Sequence, residues 1–273
     1  MRSIRITSRT NPLIKHIVSL RKRSEREQEK VMLVEGVREL GMAVDAGYHI
    51  KTLVFCPDSI KNASHAMQLL ITLQEKAEQS VETSLEVFEK IAFPENPCGL
   101  LAIVSYYEKT LQDLPHPSRG LYLILESLEK PVNLGSIFRL ADGAGVDAVL
   151  VCDPTTDCYN QHVIRASTGA IFSIPFIHCS SEDAVQWCRQ YQISIVATTP
   201  EATTSYTEIS YRESCAIVMG SEKDGLSNFW LEKADKKVFI PMQGHINSLN
   251  VAVSAGVVVY EAIRQRKQDR LEH

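Results

Sequence analysis

Ile240-Pro241-Met242-Gln243-Gly244-His245-Ile246-Asn247-Ser248-Leu249-Asn250-Val251-Ala252 is the stretch from which this chain can be read outward. An apolar run, Val238 to Ile240, meets a proline that has no backbone donor, so the chain leaves a sheet at that point. It turns through Gly244 and enters a long, mostly apolar helical stretch from about Ser248 to Gln265. Ser248 suits the N-cap of that helix, and Asn250 stands near its start. A capped helix accounts for Ser248 on its own but accounts less well for Asn250. In open parallel sheets, the loops beyond the carboxyl ends of the strands are where ligands bind.

Working backward from there, short apolar runs recur at Leu121–Leu125, Ala148–Cys152, Ile174–Ile177, Ile193–Ala197 and Ala216–Met219, with helical stretches between most of them. Runs of this kind predict buried parallel strands in an α/β architecture. Two more loops after such strands carry chemistry-bearing residues. Pro131-Val132-Asn133-Leu134-Gly135-Ser136-Ile137-Phe138-Arg139 follows the first run and opens a helix whose apolar face is Ile137, Leu140, Ala141 and Ala144. Asn133, Ser136 and Arg139 are spaced by three and share one flank of it. An arginine there can pair two phosphate oxygens with its planar fork. The plainer reading is that Asn133 caps the helix and Arg139 makes a surface ion pair. In Met219-Gly220-Ser221-Glu222-Lys223-Asp224-Gly225-Leu226-Ser227, two glycines bracket charged residues directly after a buried run. Glycine lets backbone approach a ligand closely, and Glu222 can accept hydrogen bonds from it. An ordinary strand-to-helix loop with an exposed glutamate fits equally well.

The first part of the chain, to about residue 107, also alternates strand and helix: a helical pattern through Leu13, Ile17 and Leu20, the run Val31–Val34 followed by Glu35-Gly36, a helix from Val37 stopping at Gly47, a strand from Ile50 to Cys56, a helix over 62–77 and a strand from Leu100 to Tyr106. Residues 108–120, with Pro115, Pro117 and Gly120, are the candidate linker. The formal net charge is −4, but residues 1–30 hold nine Lys or Arg against three Glu. That segment is +6 and the remainder −10. A basic end on an acidic chain suggests phosphate contacts, while a solvated helix face carrying Arg21-Lys22-Arg23 explains it equally. Hydrophobic residues at 44% and charged residues at 23% indicate a folded globular chain. Seven scattered cysteines without a CxxC pair predict free thiols and no zinc site. There is no P-loop, no GxGxxG after a strand and no HExxH, which argues against P-loop, dinucleotide and zinc-hydrolase chemistry. No apolar run is long enough for a bilayer, and no signal region follows the basic start, so the expectation is a cytoplasmic location. Leu271-Glu272-His273 reads as a tag remnant.

Taken in order, the three loops resemble the signature motifs of the SpoU (TrmH-type) branch of the SPOUT RNA methyltransferases. Asn133, Gly135 and Arg139 fit the first motif, and Gly220, Glu222 and Gly225 the second. Ile240-Pro241-Met242 with Ser248-Leu249-Asn250-Val251 fits the third, and Arg165-Ala166-Ser167-Thr168-Gly169-Ala170 is similar to a further family segment. Glu35-Gly36 resembles a feature of the family's ribosomal-protein-like substrate-binding extension. Ala252 and Glu126 depart from the residues many relatives carry there, Ser and Asp.

The resemblance implies a C-terminal parallel-sheet domain over 121–270 with a deep trefoil knot, an exception to the rule against knotted chains, preceded by a smaller α/β RNA-binding domain over 1–107. It implies a homodimer and an enzyme that moves a methyl group from S-adenosyl-L-methionine to a ribose 2′-hydroxyl of ribosomal RNA or else transfer RNA. By the same resemblance, Asn133, Arg139, Glu222, Ser248 and Asn250 are the expected catalytic residues. Thr198, Gly220, Ile240 and Leu249 are the expected cofactor contacts, with no metal and no membrane involved. Competing expectations are a ribosomal-RNA methyltransferase that confers antibiotic resistance, a non-catalytic RNA-binding protein on the same fold, and an unrelated nucleotide-binding α/β enzyme.

Overall fold

A computed structural model describes residues 4–60, 63–93 and 98–272. Arg2 of the basic segment and His273 of the presumed tag lie outside the described residues. In chain order the first elements are β1 (Ile4–Ile6), α1 (Pro12–Ser19), α2 (Arg23–Glu29), β2 (Val31–Glu35), α3 (Val37–Asp45), β3 (Ile50–Phe55), α4 (Ala63–Lys76), β4 (Gln79–Thr83), α5 (Leu85–Ile91) and β5 (Leu100–Ser105). Then come β6 (Leu121–Glu126), α6 (Pro131–Ala144), β7 (Ala148–Cys152), α7 (Gln161–Ala166), β8 (Phe176–Cys179) and α8 (Ser181–Gln190). The last are β9 (Ser194–Thr198), β10 (Thr204–Ser205), β11 (Cys215–Met219), α9 (Asn228–Lys233), β12 (Lys236–Phe239) and α10 (Val251–Glu272).

These elements form two compact units. Residues up to Tyr107 pack with Asp157–Ser173, and Glu108–Thr156 pack with the residues from Ile174 on.

The first unit is built on a mixed sheet in the order β1-β4-β3-β5-β2, with β5 antiparallel to both its neighbours. Ile14, Ile17 and Leu20 of the α1 region meet Val87, Phe88 and Ile91 of α5 over strand residues Leu33, Val54, Val81 and Leu101. Asn11 starts α1 by accepting the Leu13 N–H at 2.9 Å, and Pro12 takes the first helical position, where a missing donor costs nothing. The basic segment is largely engaged within this unit. Arg5 pairs with Glu82, Arg9 with Glu86 and Arg23 with Glu27. Arg21 donates to the carbonyls of Lys90, Ile91 and Ala92, the C-terminal end of α5. Arg26, 3% exposed, donates to the carbonyls of Leu20 and Arg21 and pairs with Asp157. The solvated helix face anticipated from Arg21-Lys22-Arg23 is therefore only partly that: Arg21 is a helix-end clamp.

The second unit holds a parallel sheet in the order β10-β12-β9-β11-β6-β7-β8. Every residue of β6 and β11 is buried, as near-continuous apolar runs require when both faces are covered. One layer of core joins Tyr122, Ile124, Leu150, Ile177, Trp187, Ile195, Val218 and Trp230. α6 begins at Pro131 and ends at Gly145, whose φ of 65° gives the left-handed turn that closes the helix. α10 packs against α6.

Candidate functional site

β12, β9, β11 and β6 are successive neighbours in the sheet, so the segments leaving their carboxyl ends lie together. They enclose a cleft of about 460 Å³ lined by Lys130, Thr198–Glu201, Met219–Leu226, Ile240, Met242, Asn247–Val251 and Ser254. Its walls mix the apolar side chains of Met219, Leu226, Ile240 and Met242 with the carboxylates of Glu201, Glu222 and Asp224.

Beside this cleft runs a hydrogen-bond chain that joins all three loops. Asn133 Nδ2 donates to Glu222 Oε1 at 2.6 Å, and Asn250 Nδ2 donates to Asn133 Oδ1 at 3.0 Å. Asn250 Oδ1 in turn accepts the Ala252 N–H at 3.0 Å. Glu222 also accepts the backbone N–H groups of Glu129 at 3.1 Å and Lys130 at 3.3 Å. An ionised carboxylate can only accept and a backbone N–H can only donate, so Glu222 at one end and Ala252 at the other both fix which way the two amides face. Burial pushes the Glu222 carboxyl up, but the Asn133 amide and the N–H groups of Glu129, Glu222 and Lys130 outweigh it. The net result lies below the usual glutamate value.

Two local expectations change. Asn250, not Ser248, is the N-cap of α10: the helix begins at Val251, and the Asn250 side chain takes the orphan N–H of its second residue. Ser248 is exposed on the cleft wall. Asn133 does not cap α6 either, because the N-cap position is Lys130. Asn133 sits inside the first turn, 7% exposed, its side chain turned to Glu222.

Arg139 lies six residues further along α6, exposed, with no ion pair or hydrogen bond among the described residues, and it is not part of the cleft wall. Thr198, Gly220, Ile240 and Leu249 all line the cleft. The Thr198 hydroxyl oxygen is buried there without a partner. Gly220 is also required for a close approach within the protein. A Cβ at Gly220 would collide with the backbone of Gly225, because Ser221 and Gly225 exchange hydrogen bonds at 3.0 and 3.2 Å to close the loop on itself.

Some contributors escaped the sequence. Glu126 stood out only as a departure from relatives, yet its buried carboxylate accepts the Ser227 N–H at 2.8 Å and ties β6 to the Gly220–Ser227 loop. The backbone donors of Glu129 and Lys130 carry no side-chain signal at all.

Residues 120–260 match the SpoU rRNA methylase family, and residues 11–102 match an MRM3-like substrate-binding domain. The chain is similar to the 23S rRNA (uridine(2479)-2'-O)-methyltransferase of Streptomyces viridochromogenes, with 31% identity covering 97% of this chain and 94% of that one. Among solved structures, it is similar to an RNA 2'-O ribose methyltransferase with 39% identity, covering 97% of this chain and 100% of that one at a TM-score of 0.85. It is also similar to the SpoU methyltransferase AviRb of S. viridochromogenes in complex with the cofactor AdoMet, with 28% identity, coverage of 94% and 98%, and a TM-score of 0.87.

Proposed function

The chain belongs to the SpoU rRNA methylase family, and from that premise we propose that it transfers a methyl group from S-adenosyl-L-methionine to a ribose 2′-hydroxyl of ribosomal RNA. The observation that carries this reading is the Glu222–Asn133–Asn250 chain beside the 460 Å³ cleft. The cleft suits the cofactor in its donor set. The unpartnered Thr198 hydroxyl offers a hydrogen bond, and the backbone at Gly220, Ile240 and Leu249 forms the wall. Glu201, Glu222 and Asp224 share the lining with Lys130 and Lys223, a mixed set that can meet both the sulfonium and amino group and the carboxylate of the cofactor. Bound there, S-adenosyl-L-methionine supplies a methyl group already activated by its sulfonium.

The remaining work belongs to the chain's own residues. Asn133 positions the ribose, and Glu222, Ser248 and Asn250 hold Asn133 and the target nucleotide. Alignment of this kind supplies much of the acceleration in a displacement at carbon. Arg139 grips the phosphate beside the target ribose and stabilises the oxyanion that develops as the 2′-hydroxyl gives up its proton. A guanidinium stays protonated at neutral pH, so the phosphate or water takes that proton.

The active form in this proposal is a homodimer. Val132 on α6 is 59% exposed, and Val253 and Tyr260 on α10 are 52% and 53% exposed, an apolar surface that a second copy would cover. Val132 and Arg139 are seven residues apart on one face of α6, so covering Val132 brings Arg139 to the partner. The return of the chain through residues 240–250 to a helix packed on α6 supports reading this region as the family's trefoil knot. Among the described residues no helix is long and apolar enough to cross a membrane, and action on ribosomal RNA in the cytoplasm is part of the proposal.

The test is methyl transfer from labelled S-adenosyl-L-methionine to ribosomal and transfer RNA, followed by mapping of the modified ribose. Label on a base, or on neither RNA, would overturn the proposal. Label on transfer RNA alone would move the substrate and keep the chemistry.

A further inference from the structure

Two consecutive peptide groups lie between β6 and α6, and each is held at both ends. The Thr155 hydroxyl donates to the Leu128 carbonyl at 2.8 Å, and the N–H of that same peptide, on Glu129, donates to Glu222 Oε2 at 3.1 Å. The Thr156 hydroxyl donates to the Glu129 carbonyl at 2.6 Å, and the N–H of that peptide, on Lys130, donates to Glu222 Oε1 at 3.3 Å. Each oxygen of one carboxylate thus meets an N–H whose peptide plane is pinned from its far side by one of two adjacent threonines. Glu129 and Lys130 are both exposed, so burial does not fix their shared plane. A carbonyl that accepts a hydrogen bond also polarises its own peptide, which makes the N–H at the other end a better donor.

We propose that Thr155 and Thr156 are positioning residues of the methyl-transfer site: by pinning two successive carbonyls they aim two N–H groups at Glu222 and so hold in place the carboxylate that anchors one end of the Glu222–Asn133–Asn250 chain. The inference rests on reading that chain as part of the active site. The pair explains why a carboxylate in a surface loop can orient a buried amide on another element. Without the pins the loop can tilt, Glu222 loses two donors, and the Asn133 amide loses a fixed acceptor. The branched threonine side chain is stiff about its first torsion, which suits a hydroxyl that must point one way. The backbone donors from Glu129 and Lys130 help hold the Glu222 carboxyl below its usual value, so releasing them raises it.

The experiment is titration of the Glu222 carboxyl by carbon-13 NMR in the full chain, with its signal identified by its loss in Glu222→Gln. Thr156→Val keeps the shape and removes the hydroxyl, and is expected to raise the midpoint by about half a pH unit or more. Thr156→Ser is expected to leave it in place. Thr155→Val, at an exposed position, should move it the same way, and it decides the question if the buried substitution does not fold. In methyl transfer, the acid limb of the rate should move upward with the midpoint. An unmoved midpoint in the valine variants, or a fall in kcat equal at every pH, would mean the threonines only support the fold and would overturn the inference. Absence of any methyl transfer by the unaltered chain would instead sink the proposed function, and the titration would still decide the role of the threonines.

Discussion

Asn133 and Glu222 stand 89 residues apart in sequence and meet at 2.6 Å, amide nitrogen to carboxylate oxygen. That contact joins the first turn of α6 to the loop after β11, and through Asn250 it reaches the start of α10. The direction of this hydrogen-bond chain is fixed from both ends, by the acceptor-only carboxylate of Glu222 and by the donor-only N–H of Ala252. Glu222→Gln removes the negative charge that gathers the Asn133 amide and the Glu129 and Lys130 N–H groups. The rate of methyl transfer should then fall by about 10- to 100-fold at pH 7, with kcat affected more than KM. A loss confined to KM would show that the carboxylate serves ground-state binding.

The same carboxylate sets a pH dependence. Its value in the folded chain lies below the usual one, so its contribution is present above the ordinary glutamate range and is lost as pH falls through the depressed value. The rate should therefore decline on the acid side with a limb that Glu222→Gln abolishes. A limb of unchanged midpoint in that variant would assign it to another group.

Arg139 is exposed and unpaired among the described residues, so its replacement should cost the fold almost nothing. Arg139→Lys keeps the charge and loses the planar fork, and is expected to lower kcat/KM by at least about tenfold with an unchanged Tm. Near-normal methylation by the lysine variant would show that a point charge suffices.

Much of this arrangement was legible in the sequence, and the reasons divide cleanly. β6 is apolar from Leu121 to Leu125 and β11 throughout, and short continuous apolar runs suit strands buried on both faces. β1 and β4 were not visible: β1 has three residues, two of them exposed, and β4 reads Gln-Ser-Val-Glu-Thr, with no apolar run or clean alternation. Both are held by parallel pairing to neighbours distant in the chain, a tertiary effect that overrides local preference. Nothing in the pattern of Val163 and Ile164 says which core they enter, and residues 157–173 pack with the first unit. At the site, side chains that donate or accept left a trace in spacing, whereas the peptide groups of Glu129 and Lys130 left none.

The engagement of the basic segment limits how it can meet RNA. Arg5, Arg9, Arg21, Arg23 and Arg26 all have partners inside the first unit, while Lys15 and Lys22 are exposed. Lys15→Ala with Lys22→Ala should reduce the salt dependence of RNA binding by no more than about two in log–log slope. A larger change would mean that the two lysines also hold other phosphate contacts in place.

Glu35 gives the first unit a pH dependence of opposite sign to that of Glu222. Its side chain ends β2, is 8% exposed and accepts the Phe93 N–H at 2.5 Å through Oε2, while Oε1 is buried without a partner. Burial pushes the carboxyl up to about 7, against the lowering pull of the Phe93 N–H and the Arg165 charge. In the unfolded chain it ionises near the ordinary glutamate value, so between that value and about 7 the folded form holds a proton that the unfolded form has released. Stability of the first unit should therefore fall as pH rises from about 5 to about 8, by up to roughly 3 kcal/mol. Glu35→Gln keeps a neutral side chain of the same shape, so it should flatten that slope and be more stable than the unaltered chain at pH 8. Urea unfolding at both pH values, with amide exchange in β2 followed alongside, measures it. A Glu35→Gln variant less stable at pH 8 would mean that the fold favours the ionised carboxylate, through Arg165, and that burial does not raise its value.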